Sequence, residues 1–148
     1  MRMKEELLQE LKEAMRDKDI IRKNTITLLR SAILQVEKDT QKELSDEEIV
    51  GIVAKEVKKR KDSIGDYEKA GRDDIIADLN KEIEILSKYL PKQLTVEEIH
   101  QLVDGAIKNV GATSPRDMGK VMQDLRAKIA GKADGKVVSE IVKEKLNQ

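Results

Sequence analysis

The chain has 148 residues and carries 29 Lys and Arg against 29 Asp and Glu, so its formal net charge is zero. A chain of this length forms one domain or two small ones and can bury a sizeable core. The absence of Cys excludes disulfides, thiolate metal sites and cysteine nucleophiles. We find neither a membrane-spanning stretch nor a secretory signal, and we expect a soluble, cytoplasmic protein. Because the net charge is zero, any nucleic-acid site must be local.

Helix-forming residues dominate the N-terminal part, and the only aromatic residues of the chain are Tyr67 and Tyr89. The apolar arc that contains Leu28 is wide, so we expect its helix to be the most buried of the bundle. Pro91 is expected to end the last helix of this part. Apolar residues recur at helical spacing in four successive segments, about residues 7–15, 20–36, 49–67 and 73–90.

The same helix-start signal occurs twice. Ser45 followed by Glu48, and Thr95 followed by Glu98, can each form a capping box, and a leucine before each cap can pack on the isoleucine that follows the box. Three helices are predicted after the second signal, over about residues 95–110, 115–129 and 135–146. We therefore predict an all-α fold of seven helices, with an N-terminal four-helix domain over residues 1–92 and a C-terminal three-helix domain over residues 93–148.

Basic residues are concentrated in the C-terminal part. Between Lys108 and Lys136 the sequence has seven basic residues, three acidic residues and four Gly. Free N–H groups and the dipole at the helix start near Lys136 favour an anion, and glycine lets a ligand approach the backbone closely. Capping explains the same pattern, because Gly131 can end one helix and Asp134 can begin the next. Spacing alone favours the capping interpretation.

No residue pattern typical of catalysis is present. His100 is the only imidazole, and the sequence has no HExxH, Walker, GxGxxG or nucleophile-elbow motif. Acidic residues surround the run Lys58–Lys61, which is typical of a salt-bridged helix surface. Met118 and Met122 lie one helical turn apart and are expected in the core. We therefore predict no catalytic residues, no metal and no cofactor.

Five runs of the sequence carry a family resemblance. Residues 117–122, the loop Gly131–Lys136 and the apolar stripe of residues 138–146 resemble the tail domain of the GatB/YqeY family. Residues 58–72 and 85–94 are similar to stand-alone YqeY proteins. Together these runs extend over essentially the whole chain, and the Gly, Lys and Asp positions of the tail signature are all present.

The resemblance implies a C-terminal module like the helical tail of the B subunit of the tRNA-dependent amidotransferase. That enzyme amidates Glu-tRNA(Gln) or Asp-tRNA(Asn) with glutamine as nitrogen donor; its tail recognises the tRNA body, and its chemistry lies elsewhere. The family label, carbon–nitrogen ligase activity with glutamine as amido-N-donor, does not follow from the tail alone. Whether the chain has enzymatic activity is left open, with the residues favouring none. Carried over by position, the candidate RNA-contacting residues are Lys120, Lys128, Gly131, Lys132, Gly135 and Lys136.

Three hypotheses about function remain. The leading one is a non-catalytic tRNA-binding or tRNA-amidation-associated protein, whose partners are tRNA and proteins of translation or tRNA amidation, with no membrane or small-molecule cofactor. The alternative is a protein-interaction adaptor that uses the long charged helices of residues 45–90. A DNA-binding three-helix module is weaker, because the last helix has no Arg, Asn or Gln placed for base readout before Asn147.

Overall fold

The structure is a computed structural model that describes residues 2–148. Over this range the chain is all-α, without strands, which confirms the predicted fold class. It divides into two compact units, an N-terminal unit that ends at Leu90 and a C-terminal unit, Pro91–Gln148. The helices are α1 (Arg2–Arg16), α2 (Ile20–Thr40), α3 (Asp46–Lys69), α4 (Asp73–Ser87), α5 (Val96–Val110), α6 (Met118–Ile129) and α7 (Gly135–Leu146), with a 3-10 turn (Pro115–Asp117) directly before α6.

Both predicted capping boxes are confirmed. The Ser45 hydroxyl accepts from the Glu48 N–H at 3.2 Å, and the Glu48 carboxylate accepts from the Ser45 N–H at 3.2 Å. The Thr95 and Glu98 bonds are 3.1 and 3.0 Å. Each box satisfies N–H groups that a helix start leaves without an intrahelical partner. The starts of α3 and α5 are therefore determined by local sequence.

The core of the N-terminal unit is aliphatic and receives side chains from all four helices. On α2, the buried positions follow one stripe from Ile26 through Leu29 to Ile33. Leu28 belongs to the wide apolar arc from which α2 was expected to be the most buried helix, but it lies off this stripe and is 57% exposed. The wide apolar arc in the sequence exceeds what α1, α3 and α4 cover. The large side chains that are almost fully enclosed in this core are Leu7, Ile26, Leu29, Ile49, Val53 and Leu86.

Two arginines cross-link helices of the N-terminal unit. The Arg22 guanidinium on α2 donates to Glu10 at 2.7 Å and to Glu13 at 3.0 Å, both on α1. Arg60, buried on α3, donates through Nε to Glu82 on α4 at 3.1 Å. This bond supports the interpretation of the basic run 58–61 as a salt-bridged surface. Much of the charge of this unit is therefore neutralised internally.

Removing the Arg22 cross-link is expected to make the stability of the N-terminal unit less dependent on acid pH. The hydrogen bond from Arg22 lowers the pKa of Glu10 below the ordinary value of 4.5, an effect that burial partly opposes. The resulting stabilisation is complete above pH 4.5 and is lost as the pH falls through the lower native pKa. Thermal unfolding of Arg22→Gln, followed from about pH 6 to pH 3, should show a smaller decrease in Tm than the unchanged protein.

Arg30→Gln is the matched control, because it removes the same charge from α2 but Arg30 has no ion pair among residues 2–148. It should keep the full pH dependence. Equal slopes of Tm against pH for Arg22→Gln and the unchanged protein would contradict the role assigned to the cross-link.

The C-terminal unit has its own aliphatic core between α5, α6 and α7. Met118 and Met122 are partly buried and pack against this core, as predicted in part, but Met122 also lines a surface groove. None of the helices within residues 2–148 combines the length and the apolar character that a bilayer crossing requires. The fully enclosed side chains of this core are Val103, Ala106, Val121, Leu125, Val138 and Val142.

Candidate nucleic-acid interface

The loop between α6 and α7 has a shape that its own main chain determines. Gly131 has φ +71°, in the left-handed region that glycine adopts at low cost. The Lys132 N–H donates to the Ile129 carbonyl at 2.8 Å. The Asp134 carboxylate accepts from the Lys136 N–H at 2.9 Å, as expected of an N-cap. The N-cap role predicted for Asp134 is therefore present, whereas the C-cap residue of α6 is Ala130 and Gly131 follows it in the left-handed conformation; neither role uses a lysine side chain.

A segment distant in sequence holds the loop from the other side. The Leu94 N–H donates to the Lys132 carbonyl at 2.8 Å. The Gln93 side-chain amide donates to the Gly131 carbonyl at 2.8 Å and to the Pro91 carbonyl at 2.9 Å. Nothing in the sequence links residues 38 positions apart, so this anchor was not predictable. Because the anchor uses main-chain atoms of the loop, the Lys132 side chain remains exposed to solvent.

A groove of about 300 Å³ lies beside this loop in the C-terminal unit. Most of its lining is apolar, and Arg126 is its only charged residue. At Gly135 an added Cβ would meet no atom within 4 Å, so packing does not require glycine there. We call this feature the α6–α7 groove. It is lined by Met122, Arg126, Ile129, Ala130, Gly131, Ala133 and Gly135.

The structure brings together four of the six predicted RNA-contacting residues. Gly131 and Gly135 line the α6–α7 groove, and Lys132 and Lys136 are exposed in the adjoining loop and at the start of α7. The other two predicted residues, Lys120 and Lys128, lie on α6 and not in this loop.

Lys120 and Lys128 differ from the loop lysines, the first in its distance from the loop and the second in being paired. Lys120 precedes Lys128 by eight residues on α6, roughly 12 Å along the helix axis, and is therefore at the far end of the helix from the loop. Lys128 forms an ion pair with Asp124 at 3.4 Å. Lys120 contributes to the lowered pKa of Asp117, although bonds from the Thr113 and Ser114 N–H groups are the larger causes.

Arg126 is the basic residue of the groove that the sequence did not single out. The resemblance was carried over at Lys and Gly positions and therefore passed over it. The available signal was its spacing, four residues after Met122 and three before Ile129, which places it at the edge of the buried face of α6.

The cations at this end of the C-terminal unit are uncompensated. Within residues 2–148, the side chains of Arg126, Lys132 and Lys136 make no ion pair and no hydrogen bond. In the N-terminal unit, Arg22 is paired with three carboxylates and Arg60 with two. Arg30, Lys38 and Lys55 of that unit are unpaired among the described residues, but they line no apolar groove with glycine main chain. Since an unpaired cation keeps its capacity for an external anion, the groove and its loop are the strongest candidate for a polyanion site.

No group of three or more His, Asp or Glu side chains within residues 2–148 could hold a metal ion. His100 is half-buried on α5, and its main-chain carbonyl accepts from the Lys145 ammonium at 3.3 Å. Lys145 also donates to Asp104 at 2.6 Å, so its charge joins α7 to α5. The contacts around His100 thus serve the packing of the C-terminal unit.

One protein-family model matches this chain over nearly its whole length. The model of the family described as Yqey-like protein matches residues 4–146. This match confirms the resemblance to YqeY proteins inferred from the sequence. Neither the tRNA contacts nor the amidation role attached to that resemblance is part of this finding.

Curated relatives are fungal proteins described as altered inheritance of mitochondria protein 41, mitochondrial. The protein of Pyrenophora tritici-repentis is 28% identical over 96% of this chain and 77% of its own length. The proteins of Lachancea thermotolerans and Vanderwaltozyma polyspora are 35% and 38% identical over 70% and 57% of this chain. The matches span 55% and 46% of those two proteins, about half their length.

The prediction of a cytoplasmic location is wrong by this comparison. The relatives are described as mitochondrial proteins. The prediction depended on composition and on the lack of a recognisable secretory signal. Composition reports solubility and redox tolerance, whereas the destination of a protein is read from targeting segments by receptors, so the two properties are separate.

Proposed function

We propose that this chain, which belongs to the family of YqeY-like proteins, is a non-catalytic protein that binds folded RNA of the transfer-RNA class through its C-terminal unit. The binding surface comprises Arg126, Lys132 and Lys136 together with the α6–α7 groove. The observation that carries the proposal is the convergence of three unpaired cations on a loop whose shape is already fixed.

The rigidity of the loop favours binding of a preformed shape. Its carbonyls at Gly131 and Lys132 are occupied by Gln93 and Leu94, so little ordering is required when a ligand arrives. A binding surface that is ordered in advance avoids part of the entropy cost of association. Phosphates of a folded RNA are held in fixed positions, and a loop whose main chain is held in place presents its exposed lysines from constant points of attachment.

Folded RNA suits the chemistry of this surface better than extended single strands or duplex DNA. Proteins that bind single strands without sequence preference stack bases on aromatic side chains, and residues 91–148 contain none. Sequence readout of DNA needs side chains placed along a helix that enters the major groove, which α7 lacks on its exposed face. Recognition of RNA by shape and phosphate contacts requires neither feature.

The first experiment compares polyanions. Fluorescence anisotropy of deacylated bulk tRNA and of duplex DNA of equal charge, at about 50 and 200 mM salt, measures both affinity and its electrostatic part. We expect tighter binding to tRNA at both salt concentrations and a slope of log K against log salt of roughly −2 to −4, as three or four phosphate contacts require. Equal weak binding to both polyanions, or none, would contradict the proposal.

A second candidate function is supported by exposed apolar side chains in the N-terminal unit. Leu28 and Leu34 on α2 are 57% and 59% exposed, and Met15 on α1 is 56% exposed. Leu28 lines a surface depression together with Ala32 and Leu79, which offers a protein partner an apolar contact on that side of α2. A protein partner bound there would resist nuclease and moderate salt, whereas an RNA-bridged complex would not, so a pull-down after nuclease treatment separates the two.

A further inference from the structure

We propose that the α6–α7 groove receives one unpaired nucleobase of the bound RNA, stacked on the guanidinium of Arg126. This inference rests on the proposed function and adds to it a structural preference. The protein would favour RNA in which a base is free to leave the helix, such as a bulge or loop, over fully paired RNA of equal charge.

The shape and the lining of the groove fit a flat, weakly polar ring. Its volume of about 300 Å³ is at the lower end of the range for small-molecule sites. Met122, Ile129 and Ala133 supply an apolar floor, and each also packs against the core, which holds it in place. A methionine sulfur is polarizable and interacts well with aromatic rings. The floor therefore offers dispersion contacts without a competing hydrogen-bond donor.

Arg126 supplies the stacking surface that other RNA-binding proteins take from aromatic residues. No Phe, Tyr or Trp occurs in residues 91–148. The guanidinium is planar, stacks on bases and is the usual substitute for an aromatic ring in RNA recognition. Arg126 is exposed at the groove and makes no ion pair among the described residues, so its plane is available.

Two exposed lysines beside the groove can contact the phosphates next to such a base. Lys132 and Lys136 are exposed on either side of Ala133 and Asp134, within the same short loop and helix start. Gly131 and Gly135 contribute only main chain to the wall of the groove, which leaves its mouth open. A base in the groove would thus place its flanking phosphates close to two cations.

The inference is tested with two RNA hairpins of equal length, one fully paired and one with a single bulged purine. Stacking of a base is worth roughly a 5- to 150-fold change in affinity, so the unchanged protein should bind the bulged hairpin tighter by a factor in that range. Arg126→Lys keeps the charge and removes the plane, and it should abolish the preference while leaving the salt slope unchanged. Arg116→Lys, the other arginine of this unit, should retain the preference.

A second variant tests the space of the groove without changing charge. Gly135→Leu places a side chain where an added Cβ meets no atom within 4 Å, and Gly135 is not among the residues of positive φ, so the fold should be retained. We expect this variant to lose the preference for the bulged hairpin. Gly105→Leu on α5 is the matched control, since an added Cβ is equally free there. Circular dichroism of both variants checks the fold.

The outcomes separate the two proposals. Equal affinity of the unchanged protein for the two hairpins, or a preference that survives Arg126→Lys, would overturn the inference and leave RNA binding intact. If neither hairpin nor tRNA binds, the proposed function itself fails.

Discussion

Replacing Lys132 and Lys136 together by alanine is expected to flatten the salt dependence of tRNA binding by one to two units of slope. For a change of slope from about −3 to −1.5 with equal affinity at 1 M salt, the affinity falls about 90-fold at 50 mM salt and about tenfold at 200 mM salt. The fold should be unaffected, because the hydrogen bonds of both residues in the loop use main-chain atoms. Anisotropy titrations at four or more salt concentrations give the slopes.

Two double variants serve as comparisons for this experiment. Lys38→Ala with Lys55→Ala removes the same charge from exposed, unpaired positions of the N-terminal unit and should leave binding close to that of the unchanged protein. Lys120→Ala with Lys128→Ala tests the remaining predicted positions and should have a smaller effect, since Lys128 is paired with Asp124. An unchanged slope for the Lys132 and Lys136 variant would remove this loop from the binding site.

Truncating Leu125 is expected to unfold the C-terminal unit at temperatures where the N-terminal unit is still folded. Leu125 is fully buried in the core of that unit, and Leu→Ala at such a site costs about 2–5 kcal/mol. At roughly 0.05–0.15 kcal/mol per residue, a unit as small as Pro91–Gln148 has only about 3–9 kcal/mol of stability. Hydrogen exchange followed by mass spectrometry should show faster exchange in Leu125→Ala within residues 91–148.

Leu86→Ala is the reciprocal variant, because Leu86 is fully buried in the core of the N-terminal unit. Its exchange should accelerate within residues 2–90. Leu125→Met conserves the side-chain volume and should lower the free energy of unfolding by less than about 1.5 kcal/mol. Comparison with Leu125→Ala therefore isolates the effect of lost packing. Faster exchange spread evenly over both units in either alanine variant would show that the two cores unfold together and would contradict the expectation.

Local sequence sufficed for the helices, because their signals act over three or four residues. The capping box of Ser45 and Glu48 and the left-handed C-cap at Gly111, with φ +66°, are recognisable without knowledge of the partner helices. Burial was less predictable. Leu28 and Leu29 are adjacent and chemically alike, but Leu29 is 1% exposed and Leu28 is 57% exposed. Which side of an apolar arc is covered depends on neighbours that the sequence of the helix does not contain.

Some residues of the candidate site could be found from the sequence, and others only from the structure. Gly131, Lys132, Gly135 and Lys136 are close in sequence, so a resemblance carried over by position could find them. The anchor from Gln93 required the folded chain, since it joins residues 38 positions apart. Arg126 had a signal in its spacing on α6, but the groove that it lines is visible only in the folded chain. Lys120 matched the family pattern but is separated from the loop by most of α6.

By itself, the sequence determined that the chain is all-α, where α3 and α5 begin, and that basic residues prevail near Gly131, since these follow from spacing and composition along a short stretch of chain. The tertiary structure decided which cations are neutralised and which remain free. An ion pair such as that of Arg60 with Glu82 joins residues on two helices, and its formation depends on how those helices pack. The groove beside Arg126 exists for the same reason: it is the space left where α6, the loop and the start of α7 meet.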